Sequence, residues 1–546
     1  MATLIVYVGD EDYYLPPATE SSYLYVVGSG NITGREVFVL NNEKKLNQIA
    51  ESIRDDYVEW VYSLNSEFID NDIKWNGTSL FWFSDLSCKR TELFDTFNSL
   101  CSLLLIKEAL KKEIVDSICL IGLDNNFVAC LVSAFPKVDV VCHHSNSRSH
   151  SIIRSVVSDL RFGLEIAGIG LINAFTKDRK IPKKEHAARV FFSIFPKMIT
   201  NEGIDKKYVG LVNKEDRFAI SIVTDGMHQH VTLPNYLKYR RVLPKNRYVL
   251  IDSQMKISDV LVFFKWLIRL QRFLMVTRSA TYKFNDIDLS AFIREEKFLS
   301  CRRISRLIIF GQLLQRLLRW WDVTDFVYYL HEYPIGRMIS YVLGINFPNV
   351  RRIGFQHGPA SWRKLLYFMA KNEGSANVSF KNKAPLPDFV LAEDMASLEI
   401  YRYAGYADVE IMESVHRLNY LDGIQPRREL NCALIAPGLH DGKAMLDVLG
   451  PVIRQNRSTT FLLRPHPLAN RAYLKGRLGA DNIQLAEGDL PSLLEKVGKV
   501  YVTYSSIGAE AKAIGIDAEV VNIPGRINES PLLDRKLNVS EQKCGW

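Results

Sequence analysis

The sequence lacks the features that mark several large classes of protein. It has no run of about 18 uncharged apolar residues long enough to span a bilayer, because Arg161 and Glu165 interrupt one candidate and Lys265, Arg269 and Arg272 interrupt another. Glycine (31) and proline (20) together make up under a tenth of the 546 residues, so collagen-like and low-complexity chains are excluded. We therefore expect a globular protein that is soluble or peripheral to a membrane.

Paired cysteines and strong charge are also missing. The eight cysteines form no C-x-x-C pair and several lie in apolar runs, which argues against disulfide frameworks and metal clusters and favours a reducing cytoplasm. The N-terminus lacks the basic region and cleavage site of a secretory signal and is typical of a first strand. The net charge of +8 is spread along the chain, and no nucleic-acid-binding motif is present. Anionic small molecules or an anionic membrane surface suit it better.

Short apolar runs between polar turns predict an α/β fold with mainly parallel sheets. At this length we expect about three domains or two large ones. Predicted strands in the first part are residues 4–8, 23–27, 36–40, 58–62, 79–83, 118–123 and 138–142, with further strands at 326–330, 352–355 and 389–392. A second set, at 432–436, 459–463, 483–486, 500–504 and 519–523, alternates with helical stretches and predicts a doubly wound domain. The polar segment 423–428 marks the boundary, which gives domains of 1–424 and 425–546, with a helix-rich insertion at about 150–320.

Two helical stretches are both basic and amphipathic. Residues 260–276 carry Lys265, Arg269 and Arg272 beside four aromatic residues, and residues 301–321 carry five arginines around apolar runs. Such a helix either buries its apolar side in the core or lies in a membrane interface. Peripheral contact with a membrane therefore remains open for both stretches.

The most informative motif follows the second strand of the carboxyl-terminal set. There Arg464 and His466 alternate with Pro465 and Pro467. Prolines fix the backbone just past the strand, so the imidazole is expected to point from the carboxyl edge of the sheet into the crevice where α/β domains bind ligands. This pattern predicts an anion-binding or leaving-group site, with a surface turn as the alternative.

Three other strand ends of the same domain carry suitable groups. Ser505 and Ser506 precede a helix, where hydroxyl and free N–H groups bind phosphate oxygens, although plain capping by serine is common. Pro437 and Gly438 form a small turn that a ligand can approach closely. Glu487 is placed to bind a ribose diol, or is a solvated loop acid. Together the four strand ends predict a nucleotide pocket.

The Arg-Pro-His-Pro motif followed by the Ser-Ser turn resembles the nucleotide-binding domain of GT-B glycosyltransferases of bacterial surface polysaccharide synthesis. The resemblance is closest to the group with an HP motif, the CMP-sialic-acid and CMP-Kdo transferases, and extends more distantly to CDP-glycerol polymerases. It implies that His466 meets the phosphate and assists departure of the nucleotide, that Ser505 and Ser506 grip the phosphate, and that Glu487 holds ribose, with Asp489 close by. The implied fold is two Rossmann-like domains with a cleft between them.

The larger amino-terminal part resembles the bacterial surface carbohydrate biosynthesis proteins through short motifs around residues 79–85, 329–332, 354–358 and 413–420. Asp85, Glu332 and His357 each follow an apolar run, so we expect them at the carboxyl edge of the amino-terminal sheet. Glycosyl transfer needs a carboxylate or imidazole beside the acceptor hydroxyl, or a carboxylate nucleophile, and any of the three would serve. Helix capping by Asp85 and a turn role for His357 are the structural alternatives.

We interpret His143-His144 and His228 with His230 as solvated or interfacial pairs rather than metal ligands, and Asp225 lacks the second acid of the Asp-x-Asp metal motif. We therefore expect no metal and no cofactor beyond the donor substrate. The leading interpretation is a cytoplasmic, metal-independent enzyme, at the inner face of the inner membrane if peripheral, that moves a nonulosonic or Kdo-type acid from a CMP donor to a glycan or lipid-linked glycan of an O-antigen or capsule. The alternatives are a UDP- or GDP-sugar transferase, a CDP-alditol phosphotransferase, and a noncatalytic scaffold of a capsule complex.

Overall fold

The computed structural model describes residues 2–143, 152–176, 185–194, 210–222, 232–243, 247–356, 358–374, 383–412, 431–466 and 482–534, with residues 208, 418, 421, 423–425, 469 and 474. Parallel sheets and the helices between them dominate this part of the chain. None of its helices is long and apolar enough to cross a membrane.

The first sheet lies within residues 2–143 and has five parallel strands in the order β3-β2-β1-β4-β5. Its strands are β1 Ala2–Val8, β2 Ser21–Val27, β3 Phe38–Val39, β4 Ser117–Ile121 and β5 Asp139–His143. In the centre of the sheet, Leu4 pairs with Tyr23 on one side and with Ile118 on the other. Leu4 and Ile118 are fully buried, as expected for central strands covered on both faces.

The second sheet has seven parallel strands in the order β8-β7-β6-β9-β10-β11-β12. They are β6 Glu185–Ser193, β7 Arg217–Ile220, β8 Tyr248–Leu250, β9 Trp321–Tyr329, β10 Arg351–Phe355, β11 Phe389–Ala392 and β12 Val409–Ile411. The sequence did not reveal β6 to β8, which lie in the stretch expected to be a helix-rich insertion.

The third sheet has five parallel strands in the order β15-β14-β13-β16-β17. They are β13 Cys432–Ala436, β14 Thr460–Leu463, β15 Ile483–Leu485, β16 Lys499–Val502 and β17 Asp517–Val520. In each sheet the first strand is central and the chain winds outward first to one side and then to the other, which is the Rossmann order. The predicted α/β class and the Rossmann-like sheets expected of a GT-B fold are confirmed. The structure adds one sheet within 1–424, and the boundary near 424 stays a prediction.

Helices connect the strands and cover the sheets. They are α1 Glu43–Ser63, α2 Asn65–Asp70, α3 Thr96–Ala109, α4 Asn125–Ala134, α5 Ile152–Phe175, α6 Leu233–Val242, α7 Asp259–Val276, α8 Ser290–Leu318, α9 Pro334–Asn346, α10 Met395–Tyr403, α11 Gly442–Gln455, α12 Leu490–Lys496 and α13 Ile507–Ala513. Several begin at an acidic or amide cap: Asp124 accepts a hydrogen bond from Phe127 N at 2.7 Å, and Asp489 accepts one from Ser492 N at 3.0 Å.

Two predicted strands are wrong. Residues 58–62 belong to α1, whose buried residues Leu46, Ile49, Tyr57 and Val61 recur at helical spacing, a pattern that a five-residue apolar run cannot show. Residues 79–83 form a 3₁₀ turn at Leu80–Phe83 after a two-residue strand. Its four side chains are buried against the core, so apolar character alone gave no information on the backbone.

The basic stretch at 301–321 is not a surface helix. Most of it is the second half of α8, in which Leu307, Ile308, Ile309 and Phe310 are fully buried. Ion pairs hold its arginines: Arg302 donates to Asp159 at 2.8 Å, and Arg316 donates to Asp259 at 2.6 Å. Membrane contact through this helix is therefore excluded, because its apolar side faces the core.

The carboxyl-terminal segment of the described chain returns to the first sheet. Gly28 N donates to Pro524 O at 3.0 Å, and Asn98 donates to Gly525 O at 3.0 Å. Gly525 has a φ of +67°, and a Cβ there would lie 2.3 Å from Val26 O, so only glycine fits this crossing without strain. Lys443 at the start of α11 also contacts Asp10 at 3.3 Å. The unit that carries the third sheet is thus fixed against the carboxyl ends of β1 and β2.

Candidate functional site

Four strand ends of the third sheet meet at its carboxyl edge, as the sequence predicts. Gly438 N, in the turn after β13, donates to Thr503 Oγ1 after β16 at 3.0 Å. Arg464, after β14, donates to Gly488 O in the turn after β15 at 3.1 Å. This second bond brings Glu487, which is exposed, beside the arginine. Because the strands are parallel, their carboxyl ends lie at one edge of the sheet, which brings the residues that follow them close together.

His466 is half-buried at this edge. Burial, with a smaller contribution from the nearby His440, lowers the pKa of His466 from its ordinary value of 6.5. The imidazole is therefore neutral at pH 7 and carries one N–H donor and one acceptor nitrogen. A neutral ring can donate a hydrogen bond to a phosphate oxygen, while the adjacent Arg464 guanidinium supplies the positive charge.

Tyr504 is a residue of this edge that the sequence reasoning missed. Its ring lies over Gly438, where a Cβ would come within 2.4 Å of the ring carbon Cζ. Burial, with the nearby Asp441 and Glu529 charges, raises the pKa of the tyrosine, while hydrogen bonds with the backbone at Leu439 and His440 oppose the shift. The hydroxyl thus stays protonated near neutral pH. Its position directly before Ser505 at a strand end was a usable sequence signal.

Asp441 and His440 were missed as well. Burial raises the pKa of Asp441, against opposing contributions from Thr503 and Arg526. Both residues follow Pro437-Gly438 in the turn between β13 and α11, and His440 is exposed. The sequence signal that could have identified them is their position, because polar residues in the turn between a strand and a helix of a Rossmann-order sheet lie where ligands bind.

Ser505 and Ser506 lie where the sequence places them, directly before α13. Ile507 N donates weakly to Ser505 Oγ at 3.5 Å, and the Ser506 side chain makes no capping hydrogen bond to the helix. Both residues are partly exposed, so plain N-capping does not account for the pair. Pro467 and His357 lie outside the described residues.

Asp85 lies in the interior, apart from the third sheet. Its side chain is fully buried, Arg90 donates to Oδ1 at 2.9 Å, and Arg303 donates to Oδ2. Both carboxylate oxygens thus accept hydrogen bonds from guanidinium groups. Helix capping, the structural alternative to catalysis, does not describe it, since two cations hold it inside the protein.

Glu332 follows β9 at the carboxyl end of the second sheet, as expected, but only 2% of its surface is exposed. Tyr401 donates a hydrogen bond to Oε1, and His331 Nε2 lies 3.1 Å from that oxygen. The other oxygen, Oε2, is buried without a hydrogen-bond partner in the structure. Burial outweighs the carboxylate and lowers the pKa of His331, which is therefore neutral at pH 7.

A chain of contacts connects these carboxylates with the third sheet. The Arg90 guanidinium lies 4.4 Å from the ring centre of Tyr333, the neighbour of Glu332, and donates to Glu92 at 2.8 Å. Thr91 then donates to Glu529 of the carboxyl-terminal segment at 2.5 Å. The loop after Asp85 is thus in direct contact with the segment that follows the third sheet.

The pKa values of the neighbouring carboxyl groups of Glu92 and Glu529 are shifted in opposite directions. Burial raises the pKa of Glu529, and Lys364 and Thr91 only partly offset it. Burial also acts on Glu92, but Arg90 and Lys364 outweigh it, so the pKa of Glu92 is lowered. One carboxylate is thus held ionised beside another that retains its proton more readily, which is the arrangement of an acid and a base.

A cavity lies elsewhere in the described part of the chain. It has a volume of about 420 Å³ between α11 and the first sheet, and Asp10, Asp12 and Asp447 contribute to its lining. Arg454 also contributes to the lining, and Lys443 pairs with Asp10 and Asp447, so these charges belong to the contact between α11 and the first sheet. Within the described ranges no group of three or more His, Cys, Asp or Glu side chains is placed to hold a metal ion.

Comparisons with known proteins give likeness in structure alone. No protein-family model and no curated protein match the chain. Among solved structures, UDP-GlcNAc 2-epimerase from Neisseria meningitidis is 10% identical with a TM-score of 0.32, and the match covers 62% of this chain and 82% of that one. MurG from Acinetobacter baumannii is 12% identical with a TM-score of 0.32, covering 63% and 79%. The wall teichoic acid polymerase TagF is 13% identical with a TM-score of 0.28, covering 67% and 76%. At these TM-scores the likeness carries no conclusion about the activity of this chain.

Proposed function

We propose that the protein is a glycosyltransferase that moves a nonulosonic or Kdo-type acid from a CMP donor to a bacterial surface glycan. The observation that carries the proposal is the meeting of Arg464, His466, Gly438 and the Ser505 turn at the carboxyl edge of one Rossmann-order sheet. Ligands of open α/β sheets bind at this edge.

Each group has a role in departure of the nucleotide. The acceptor hydroxyl attacks the anomeric carbon, the bond from that carbon to the phosphate oxygen breaks, and negative charge grows on the phosphate. Arg464 stabilises this charge, and the neutral His466 and the protonated Tyr504 hydroxyl donate hydrogen bonds to it. Ser505 and Ser506 add hydroxyl donors on the other side of the turn.

A nucleoside monophosphate suits the charge available at this edge. Arg464 is a single guanidinium, and the lowered pKa of His466 leaves that ring uncharged at pH 7. Lys443 lies 3.3 Å from Asp10 and 3.7 Å from Asp447, so its charge is directed to the interface between the units. A single phosphate brings less negative charge to Arg464 than a diphosphate does, which favours CMP over UDP or GDP.

We assign the acceptor side to Asp85 and Glu332, and His357, which lies outside the described residues, stays a candidate from the sequence alone. The reaction there needs a group that takes the proton of the acceptor hydroxyl, or a carboxylate nucleophile. Asp85 is held by two guanidinium groups, whereas Oε2 of Glu332 accepts no hydrogen bond from the described residues. Glu332 is therefore the better base of the two.

Nucleotide binding tests the donor assignment. Ligands that bind only the native state raise the melting temperature, by an amount that grows with concentration relative to Kd. We expect CMP to stabilise the protein more than UDP or GDP at equal concentration, and Arg464→Ala to remove that gain. His143→Ala is the matched control, because His143 is an exposed residue at the end of β5 in the first sheet.

Each alternative predicts a different result. Equal or greater protection by UDP or GDP would replace the CMP assignment with a diphosphate donor. Protection by CDP above CMP would favour alditol phosphate transfer. Protection by CMP with no turnover on any glycan acceptor would favour the noncatalytic scaffold, and protection by none of the nucleotides would remove the donor site from this edge.

A further inference from the structure

Helix α5 carries a row of exposed apolar side chains along its whole length. Val157, Leu160, Leu164, Leu171 and Phe175 are separated by three, four and seven residues, so they lie on one side of the helix. Leu164 is 74% exposed and Phe175 is 84% exposed. The opposite side of the helix is also apolar and is buried in the protein. The exposed row therefore adds nothing to the core.

Helix α7 carries a second row on its outer side. Leu261, Ile268 and Met275 are 74%, 54% and 67% exposed, and Lys265 and Arg272 lie between them at the same helical spacing. Residues on the other side of α7, including Phe263 and Leu270, are fully buried. The sequence predicts this basic amphipathic helix, and the structure shows that apolar side chains also occupy its outer side.

The two rows belong to one surface. Phe162 of α5 and Phe263 of α7 pack with ring centres 4.9 Å apart, and Gly163 lets the ring of Phe264 approach, since a Cβ at 163 would lie 2.8 Å from it. Both helices rest on α8, where Arg306 lies 4.7 Å from the ring centre of Phe162. Each exposed row lies opposite the buried side of its helix, so both rows face outward.

The exposed charges of this surface are mainly positive, and Arg161 lies 3.9 Å from the partly buried Glu165 of the same helix. The three acidic residues of α5 and α7 turn away from it: Asp159 accepts from Arg302 at 2.8 Å, Asp259 accepts from Arg316 at 2.6 Å, and Glu165 accepts from Leu233 N at 2.5 Å. The exposed charged residues between the leucines include Arg161, Lys265 and Arg272. An outer face of exposed leucines and cations is complementary to an anionic lipid surface.

We propose that the outer face of α5 and α7 docks on the surface of an anionic lipid bilayer, with both helices lying in the plane of the membrane. The row on α5 runs from Val157 to Phe175, about 27 Å at the rise of an α-helix, so it can contact the headgroup region along its length. A second copy of the chain fits less well, because it would bring the same cations against each other. The proposal does not rest on sugar transfer, although docking would bring a lipid-linked acceptor to the enzyme.

Vesicle co-sedimentation of the full chain without nucleotide tests the docking. We expect binding to vesicles of phosphatidylcholine mixed with phosphatidylglycerol, weaker binding to phosphatidylcholine alone, and a decrease as salt is raised. The double variant Leu164→Glu/Leu261→Glu should lower the partition coefficient at least about tenfold, because two apolar contacts are lost and two negative charges are added. The matched control is Ile114→Glu, since Ile114 is 82% exposed and lies outside α5 and α7.

Circular dichroism melts first establish that the variants fold as the wild type does. Equal partition of the wild type and the double variant would overturn the proposal, as would absence of wild-type binding to anionic vesicles. Light scattering without vesicles tests whether a second copy of the chain covers this face instead. A wild-type dimer that becomes a monomer in the double variant would make this face an interface between copies. Because nucleotide is absent throughout, failure here leaves the donor site untouched, and failure of CMP binding leaves the docking untouched.

Discussion

The guanidinium of Arg90 donates a 2.9 Å hydrogen bond to the carboxylate of Asp85 inside the protein, where both side chains are almost completely shielded from solvent. Arg303 donates to the second oxygen of the same carboxylate. A carboxylate held by two cations is poorly placed to take a proton from an acceptor hydroxyl. Asp85 instead anchors the loop that continues through Arg90 to Glu92.

Replacement of Asp85 tests this role. Asp85→Asn removes the buried charge that Arg90 and Arg303 share, with Glu92 left as the acidic partner of Arg90. Breaking a buried ion pair costs about 3–5 kcal/mol of the free energy of unfolding. We therefore expect a clear fall in the midpoint of chemical unfolding. Asp72→Asn is the control, because Asp72 pairs with Arg269 at 3.1 Å while its side chain is 77% exposed, and a surface pair contributes about 0–1 kcal/mol. An unchanged midpoint for Asp85→Asn, with transfer abolished, would show that the carboxylate acts on the substrate instead.

Glu296 is a buried carboxyl group whose pKa is raised. It lies in α8, is 4% exposed, and accepts a hydrogen bond from Thr96. Burial is the main cause that raises its pKa to about 8, and the nearby Asp85 charge adds to the shift. The native state thus binds this proton more tightly than the unfolded state. The contribution of the raised pKa of Glu296 to the free energy of unfolding is fully present below the pKa that this carboxyl group has in the unfolded chain. The contribution is lost as pH rises toward about 8.

Glu296→Gln should remove this pH dependence. We compare the free energy of unfolding of the wild type with that of the glutamine variant. The difference should fall by up to about 1.4 kcal/mol per pH unit between about pH 5 and pH 8. Urea unfolding at several pH values measures it. Glu215→Gln serves as the control, because Glu215 is exposed and should leave the slope unchanged. Parallel curves for the wild type and Glu296→Gln would show that Glu296 does not titrate in this range.

The sequence predicts the third sheet and its edge well because the motifs there are local. A proline-bounded strand end and the parallel register together place Arg464 and His466 at the same sheet edge as Gly438. The strands β6 to β8 were missed because they lie between long apolar helices and carry no distinctive turn. The residues 58–62 were misassigned because a short apolar run fits a buried helix as well as a strand.

The contacts between distant segments could not be predicted. Glu529 meets Thr91 across 438 positions of sequence, and nothing in either segment indicates the partner. The two cations on Asp85 are likewise contributed by separate segments, the following loop and α8. Such contacts decide whether a carboxylate acts as a base or anchors an ion pair. Residue type and position in the chain alone therefore made Asp85 and Glu332 equally good candidates for the base.

Chelation tests the expected independence from metal. At the donor edge Arg464 and the hydroxyl and imidazole donors supply the electrostatic stabilisation that a divalent cation would otherwise provide. Transfer rates should therefore be the same with EDTA and with added magnesium or manganese. Loss of transfer in EDTA with rescue by one divalent ion would contradict this and indicate a metal site that includes the bound donor.

The last prediction separates the two sides of the reaction. Glu332→Gln keeps the shape of the side chain and its contact with Tyr401 but removes the base. We expect transfer to slow by about 10²–10⁴-fold, while CMP affinity, set at the third sheet, changes little. His466→Ala should weaken CMP binding and slow transfer together, because its partner, the phosphate, is present in both the ground state and the transition state.

Calorimetric CMP affinities measured beside single-turnover rates decide between these outcomes. Tyr401→Phe is the matched control for Glu332→Gln, since it removes the hydrogen bond to the carboxylate and leaves the base in place. A positioning role for the bond predicts a smaller loss of rate in Tyr401→Phe than in Glu332→Gln, with CMP affinity unchanged in both. A wild-type rate in Glu332→Gln would remove this carboxylate from the mechanism and leave the ionised Glu92 as the base nearest the segment that follows the third sheet. Unchanged CMP affinity in His466→Ala would move the donor phosphate away from this edge.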